Sequence, residues 1–255
     1  MTILEHALFM IADRKNNIYY NKIGNDRNKE ERFVLWMKLT FEDVYKLPEI
    51  RTYIERADES LRALGYTDHG FAHVHKVANT AHEILLKLGY SERDAELARI
   101  AGYLHDIGNV INRQDHAQSG AIMAFRILDN MQADPEDIAT IITAIGNHDE
   151  GSAYPVNPVA AALILADKAD VHSSRVRNQD FATFDIHDRV NYSVKKAELH
   201  IEKDSHIELF LQIDTEICAV MDYFEIFMNR MILCRKAAEK LNLHFRLTIN
   251  HQQIL

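Results

Sequence analysis

The chain has 255 residues, 47% of them hydrophobic and 26% charged, with a formal net charge of −9. These values suit one large globular domain, or a domain with a smaller appendage, and argue against a disordered chain. An acidic balance with no long basic run argues against a nucleic-acid-coating or membrane-surface protein, yet leaves room for a phosphate ligand in a locally positive pocket.

Residues 1–66 read as helical cover, with a polar loop from Lys15 to Lys29. Met1–Arg14 is apolar but interrupted by Glu5, His6 and Asp13; without a basic start or a small-residue cleavage site it reads as a helix rather than a signal peptide. Arg32–Leu39 holds the single tryptophan, Trp36, among Phe33, Val34, Leu35 and Met37, a cluster expected to pack in the core. Pro48 fits the first turn of a helix and Gly65 the residue just past its end.

His69-Gly70 opens a helix to Leu88, stopped by Gly89. Ser91 with Asp94 suits a capping box for the next helix, which reaches His105-Asp106 and ends near Gly108 to Asn112. Asp115 is placed to cap a helix over 116–130, and Asp134-Pro135 starts another that runs to about His148. Gly151 to Pro158 is punctuated as loop, and a last helix is expected over roughly 158–174. After about residue 190 the period changes. Glu198–Glu202 and Ile207–Asp214 suit a hairpin, Thr215 to Leu241 a long amphipathic helix, and Phe245–Ile249 a third strand. The expected fold is mainly α: a helical bundle, with residues 190–255 as a small C-terminal α+β appendage.

Val159 to Ala166 is the longest uninterrupted apolar run, far short of the roughly 20 residues that span a bilayer. The two cysteines, Cys218 and Cys234, form no CxxC, so a reduced, cytoplasmic chain is expected.

Helical phase brings six polar groups onto apolar stripes. Val77, Ala81, Ile84 and Leu88 form a stripe that leads back four residues to His73. Ile127, Met123 and Gly120 lead back to His116; Ile138, Ile141 and Ile145 lead forward to His148; Ala160 and Leu163 lead forward to Asp167. Ala98, Ala101 and Gly102 share a face with His105, and Asp106 follows it. Any one such histidine is more often a hydrogen-bonded core residue than a ligand. Six in phase on successive helices fit a metal centre built from inward side chains of a bundle. His75 and His82 lie on another face, and His69 and His172 are candidates for the mouth of the site.

The ordered set His73, His105-Asp106, His116, His148 and Asp167 resembles that of the HD-domain superfamily of metal-dependent phosphohydrolases. The flanks His73-Val74-His75-Lys76-Val77-Ala78, Ala101-Gly102-Tyr103-Leu104-His105-Asp106-Ile107-Gly108 and Leu165-Ala166-Asp167-Lys168-Ala169-Asp170 carry the same likeness. It implies an HD core over 67–180. His73, His105, Asp106 and Asp167 would be the minimal one-metal set, and His116 and His148 the additional ligands of two-metal members, with Asp106 as the bridge. His116-x-x-x-Gly120-Ala121 is similar to the context in symmetrical dinucleoside-tetraphosphate hydrolases. Asn109 stands where many relatives have Lys. His148-Asp149-Glu150 departs from the His-His-Glu run of the cyclic-dinucleotide phosphodiesterases.

Mixed imidazole and carboxylate ligands suit iron or manganese, with zinc, cobalt, nickel or magnesium as other choices for the two ions. Such ions make hydroxide available near neutral pH, with His105 and Asp106 at the catalytic centre. Lys168, Arg175 and Arg177 are the expected phosphate contacts, and Asp149 or Glu150 a proton donor or orienting group. The expected activity is hydrolysis of a phosphate ester or anhydride of a nucleotide or other small phosphate. A di-iron oxygenase of the HD type and a nucleotide sensor signalling through residues 190–255, which offer a dimer face, are the alternatives.

Overall fold

The computed structural model describes residues 18–23, 32–151 and 153–255. Strands β1 (Ile18–Ile23) and β2 (Arg32–Met37) form an antiparallel hairpin. This corrects the helical reading of Arg32–Met37 and the loop reading of Lys15 to Lys29, within which β1 falls. A run as short as F-V-L-W-M carries too few residues for its period to separate helix from strand, and its aromatic and β-branched content favours the strand. Met37 then docks the hairpin on the bundle, donating its N–H to the Gln132 carbonyl at 2.8 Å and accepting from Asp134 N–H at 3.0 Å. The Met1–Arg14 helix expectation lies outside the described residues.

Helix α1 (Phe41–Tyr45) is closed by a reciprocal capping box between Thr40 and Asp43. Helix α2 (Pro48–Ala63) starts on Pro48 and ends before Gly65, whose φ of 84° needs a residue without Cβ. Five further helices form the bundle: α3 (Phe71–Leu88), α4 (Glu92–Leu104), α5 (His116–Asn130), α6 (Pro135–Gly146) and α7 (Pro158–Lys168). Ser91, Asp134 and Asn157 cap α4, α6 and α7 with their side chains, satisfying N–H groups that a helix start leaves free. Asp115 does not cap α5. It sits in the left-handed region at φ 55° and makes no side-chain cap bond, because the chain enters α5 from a 3₁₀ turn over Ile107–Val110 pressed against that helix. Helix α7 stops at Lys168, earlier than expected, and the turn that follows directs Asp170 back toward His73.

Helix α8 (Ile186–Ser193), capped by Asp185, leads into β3 (Val194–Glu202) and β4 (His206–Ile213), which pair antiparallel as the expected hairpin. In β4 Ile207, Leu209, Leu211 and Ile213 are buried at alternate positions, the period of a sheet with one covered face. Helix α9 (Val220–Lys240) crosses over to β5 (His244–Ile249), parallel to β4, and β6 (Gln252–Gln253) closes the edge. The molecule is thus mainly α with a small C-terminal α+β part. Its core is continuous with the bundle, since Tyr223, Phe227 and Leu209 belong to the same buried cluster as Ile84 and Leu163. No described helix is long and apolar enough to cross a membrane.

Candidate metal centre

Each of the four stripe histidines uses Nδ1 in a hydrogen bond to a carbonyl or carboxylate oxygen. His105 Nδ1 lies 2.8 Å from the Gly102 carbonyl, His116 Nδ1 3.0 Å from the Arg113 carbonyl, and His148 Nδ1 2.6 Å from the Ile145 carbonyl. His73 Nδ1 lies 2.7 Å from Asp170 Oδ2. A carbonyl or carboxylate can only accept, so Nδ1 carries the proton and Nε2 presents a lone pair. Sequence phase buries these rings; the backbone one turn earlier selects the tautomer of three, and the Asp170 carboxylate that of His73.

All four Nε2 atoms point to one place. His73 and His105 meet at 3.3 Å, and His116 and His148 at 3.1 Å. Asp106 lies between the two pairs. Its Oδ2 is 3.6 Å from His73 Nε2 and 3.2 Å from His105 Nε2; its Oδ1 is 3.4 Å from His116 Nε2 and 4.0 Å from His148 Nε2. Asp167 Oδ1 joins the first pair, at 3.4 Å from His73 and 3.8 Å from His105. Lone pairs this close repel one another unless a cation lies among them. His73, His105 and Asp167 form one group with metal-ligand spacing, and His105, Asp106 and His148 form another. The donor set fits metal ions, and the two-sided use of Asp106 fits a pair of them.

The electrostatics agree. Burial pushes the Asp106 and Asp167 carboxyls up, but His105 beside Asp106 and Lys168 beside Asp167 outweigh it and hold both well below the usual carboxylate range. Burial, reinforced by neighbouring His105, keeps His148 well below the usual histidine range, and burial also lowers His116. For His105 burial is outweighed by Asp106, which raises it. The carboxylates draw positive charge to that Nε2, whether as a proton or as a metal ion. Two ionised carboxylates nine-tenths buried are costly without such a charge.

The tight packing behind the site depends on two glycines. A Cβ on Gly108 would fall 2.0 Å from the His116 carbonyl oxygen and 2.5 Å from Gly120 N, and one on Gly102 would fall 2.7 Å from Ala78 Cα. Missing side chains let α4 and the 3₁₀ turn approach α3 and α5, which brings the histidines within reach of one another.

A cavity of about 450 Å³ opens beside the centre, lined in part by Tyr66, His69, Arg113, Glu150, Arg175 and Arg230. His69 thus stands at the mouth, its ring 5.4 Å from that of His73, whereas His172 turns to Ser174 and the Lys195 carbonyl. Of the expected phosphate contacts, Arg175 alone lines the cavity. Lys168 is buried, 2.8 Å from Asp167 Oδ2 and 3.4 Å from Glu150 Oε1. Arg177 is held by Asp58 and stands 3.3 Å from Asp68, away from the cavity lining. Burial pushes Glu150 up, but Lys168 and Arg230 outweigh it and bring it down to about 2.

Four residues that helical phase does not single out complete the site. Asn109 donates to Asp106 Oδ1 at 2.9 Å and so orients the central carboxylate. Asp170 holds His73; its position three residues after Asp167 was the available signal. Arg113 and Arg230 enter from a loop and from α9, and nothing in their local sequence marks them.

Residues 70–174 match the family model of the HD domain. An uncharacterized protein of Methanocaldococcus jannaschii is 26% identical over 227 residues, covering 78% of this chain and 87% of the relative. The crystal structure of a predicted HD superfamily hydrolase from an uncultured Thermotogales bacterium superposes with a TM-score of 0.40 at 24% identity, covering 52% of this chain and 75% of that one. The matched segment, 70–174, contains all six converging side chains, so it is over this segment that the chain is similar to the HD domain.

Proposed function

We propose that the protein is a metal-dependent phosphohydrolase that cleaves a phosphate ester or anhydride of a nucleotide or other small phosphate. The carrying observation is the convergence of four Nε2 lone pairs on both faces of Asp106, with each Nδ1 proton locked in place. His73, His105, Asp106 and Asp167 would hold one divalent ion, and Asp106, His116 and His148 a second. Such ions supply Lewis acidity to phosphoryl oxygens and lower the pKa of a coordinated water from about 15.7 to near 7. The protein's own part is to fix the ligands. Gly102, Arg113 and Ile145 carbonyls set three ring orientations, Asp170 sets the fourth, and Asn109 and Lys168 each restrain one carboxylate. In the net reaction water adds to phosphorus, the P–O bond to the leaving group breaks, and the leaving oxygen takes up a proton.

The test is metal analysis of the isolated protein together with a phosphate-release screen. Expected are bound iron, manganese or another divalent ion, and release from at least one member of a panel of mononucleotides, dinucleotides, cyclic nucleotides and sugar phosphates, abolished by chelation. A metal-replete protein inert toward the whole panel would refute the reading.

A further inference from the structure

We propose that Arg113 and Arg230 together receive a terminal phosphoryl group, so that the substrate is a phosphomonoester or a terminal phosphoanhydride rather than an internal phosphodiester. This rests on the phosphohydrolase reading and narrows it. Three arginines line the cavity. Arg175 is fully engaged as a strut: Nε and Nη2 donate to the Asp68 carbonyl at 2.9 and 2.7 Å, and Nη1 donates to the Asp170 carbonyl at 2.6 Å. The other two are placed but not used up. Arg113 lies beside the centre, with Nη1 3.2 Å from His116 Nε2 and 3.4 Å from Asn109 Oδ1, and Nη2 3.8 Å from Asp149. Arg230 donates Nε to Glu150 at 2.9 Å and stacks over Phe227 at 4.2 Å, and among the described residues its Nη groups have no hydrogen-bond acceptor.

One tripeptide sets this arrangement. His148 faces Asp106, Asp149 faces Arg113, and Glu150 anchors Arg230, so both cations are aligned by the residues next to a candidate ligand. A guanidinium grips an oxyanion best through two parallel N–H donors. Two such forks call for several acceptor oxygens and more than one negative charge. A terminal phosphoryl group offers three non-bridging oxygens and up to two charges; an internal diester offers two oxygens and one charge. Tyr66, which lines the same cavity and is 43% exposed, offers an apolar surface for the organic body of the substrate.

The experiment uses the full-length, metal-loaded protein and inorganic phosphate as the probe, by calorimetry, with hydrolysis of p-nitrophenyl phosphate and bis(p-nitrophenyl) phosphate alongside. Expected are preference for the monoester, and phosphate binding weakened roughly 10–100-fold in Arg113→Gln and in Arg230→Gln at unchanged metal content. Lysine at either position should restore part of the affinity. Arg113 is solvent-accessible, so its variant reports even if Arg230→Gln fails to fold. Phosphate bound equally well by both glutamine variants, or a preference for the diester, overturns this inference and leaves the phosphohydrolase reading standing. A wild-type protein that neither binds phosphate nor turns over either ester overturns this inference, and the phosphohydrolase reading falls with it only if the nucleotide and sugar-phosphate panel is inert as well.

Discussion

His73 and Asp170, on α3 and just past the end of α7, meet at 2.7 Å through Nδ1 and Oδ2. Asp170 also accepts from Lys76 Nζ at 2.6 Å, so the carboxylate is itself held in place. Burial pushes its carboxyl up, but the hydrogen bond from His73 and the Arg175 charge outweigh that and depress it below the usual range. It is therefore an anion that fixes both the tautomer and the orientation of the ring. An outer carboxylate on a ligating histidine typically contributes 10–100-fold in metal affinity. Asp170→Ala is expected to weaken metal binding by about that factor, measured by competition with a chromogenic chelator, and Asp170→Asn, which can still accept, by less. Equal affinity in all three proteins would deny Asp170 this role.

The two sides of Asp106 can be separated. His73 and Asp167 lie on the Oδ2 side, His116 and His148 on the Oδ1 side. His148→Ala and His116→Ala should lower the metal content from about two ions per chain to about one, while Asp106→Ala should abolish tight binding. Elemental analysis after exhaustive dialysis measures this. A wild-type content of about one ion that His148→Ala leaves unchanged would make the site mononuclear and give His116 and His148 another task.

Helical phase carried the sequence reading a long way. Every stripe that ended on His73, His116 or His148 ends on a buried residue, because burial of one helix face is what produces the 3.6-residue period. Phase says nothing about groups that reach the site from coil. Asn109 sits in a 3₁₀ turn, Arg113 in a loop and Asp170 in the turn after α7, so none repeats with a helical period. Arg230 does lie on a helix, but its partner Glu150 is 80 residues away, a pairing only the packed fold brings about. The hairpin of β1 and β2 escapes sequence reading for two reasons: a six-residue strand is shorter than two helical turns, so the apolar run Phe33–Met37 suits either period, and β1 lies inside the polar stretch Lys15 to Lys29 that reads as loop. Lys168 and Arg177 read as phosphate contacts in the sequence because they are cations near the terminal aspartate. Each instead neutralises a carboxylate of the framework, Asp167 and Asp58 respectively.

Gly102 tests how closely the helices must pack. Helices α3 and α4 touch through backbone at this point, and an added methyl would lie 2.7 Å from Ala78 Cα and 2.9 Å from Ala78 N. Neither atom can rotate away, so the helices must separate. Overpacking of this kind costs about 1–3 kcal/mol, which for a chain of this size corresponds to a drop in Tm of roughly 2–10 °C. Gly102→Ala should show that drop in a thermal melt, together with weaker metal binding, because α4 carries His105. A variant as stable as the wild type would mean that the helices have slack here.

The two cysteines give an independent check on the C-terminal part. Cys234, on the buried face of α9, is pushed up to about 12 by burial, which outweighs the nearby Arg230 and Lys168 charges. Burial also raises Cys218 to about 11, and the adjacent Asp222 carboxylate adds to it. The thiolate is the reactive species, and an unfolded cysteine has a pKa of about 8.5. At pH 8 Cys218 is therefore ionised to about one part in a thousand and Cys234 to less, against roughly a quarter for an unfolded thiol. Ellman's reagent should find neither thiol in the native protein at pH 8 and both after addition of guanidinium chloride, with reaction following the unfolding transition. Rapid native labelling of Cys234 would mean that α9 separates from α7 under native conditions, and Arg230 could not then be a fixed wall of the cavity.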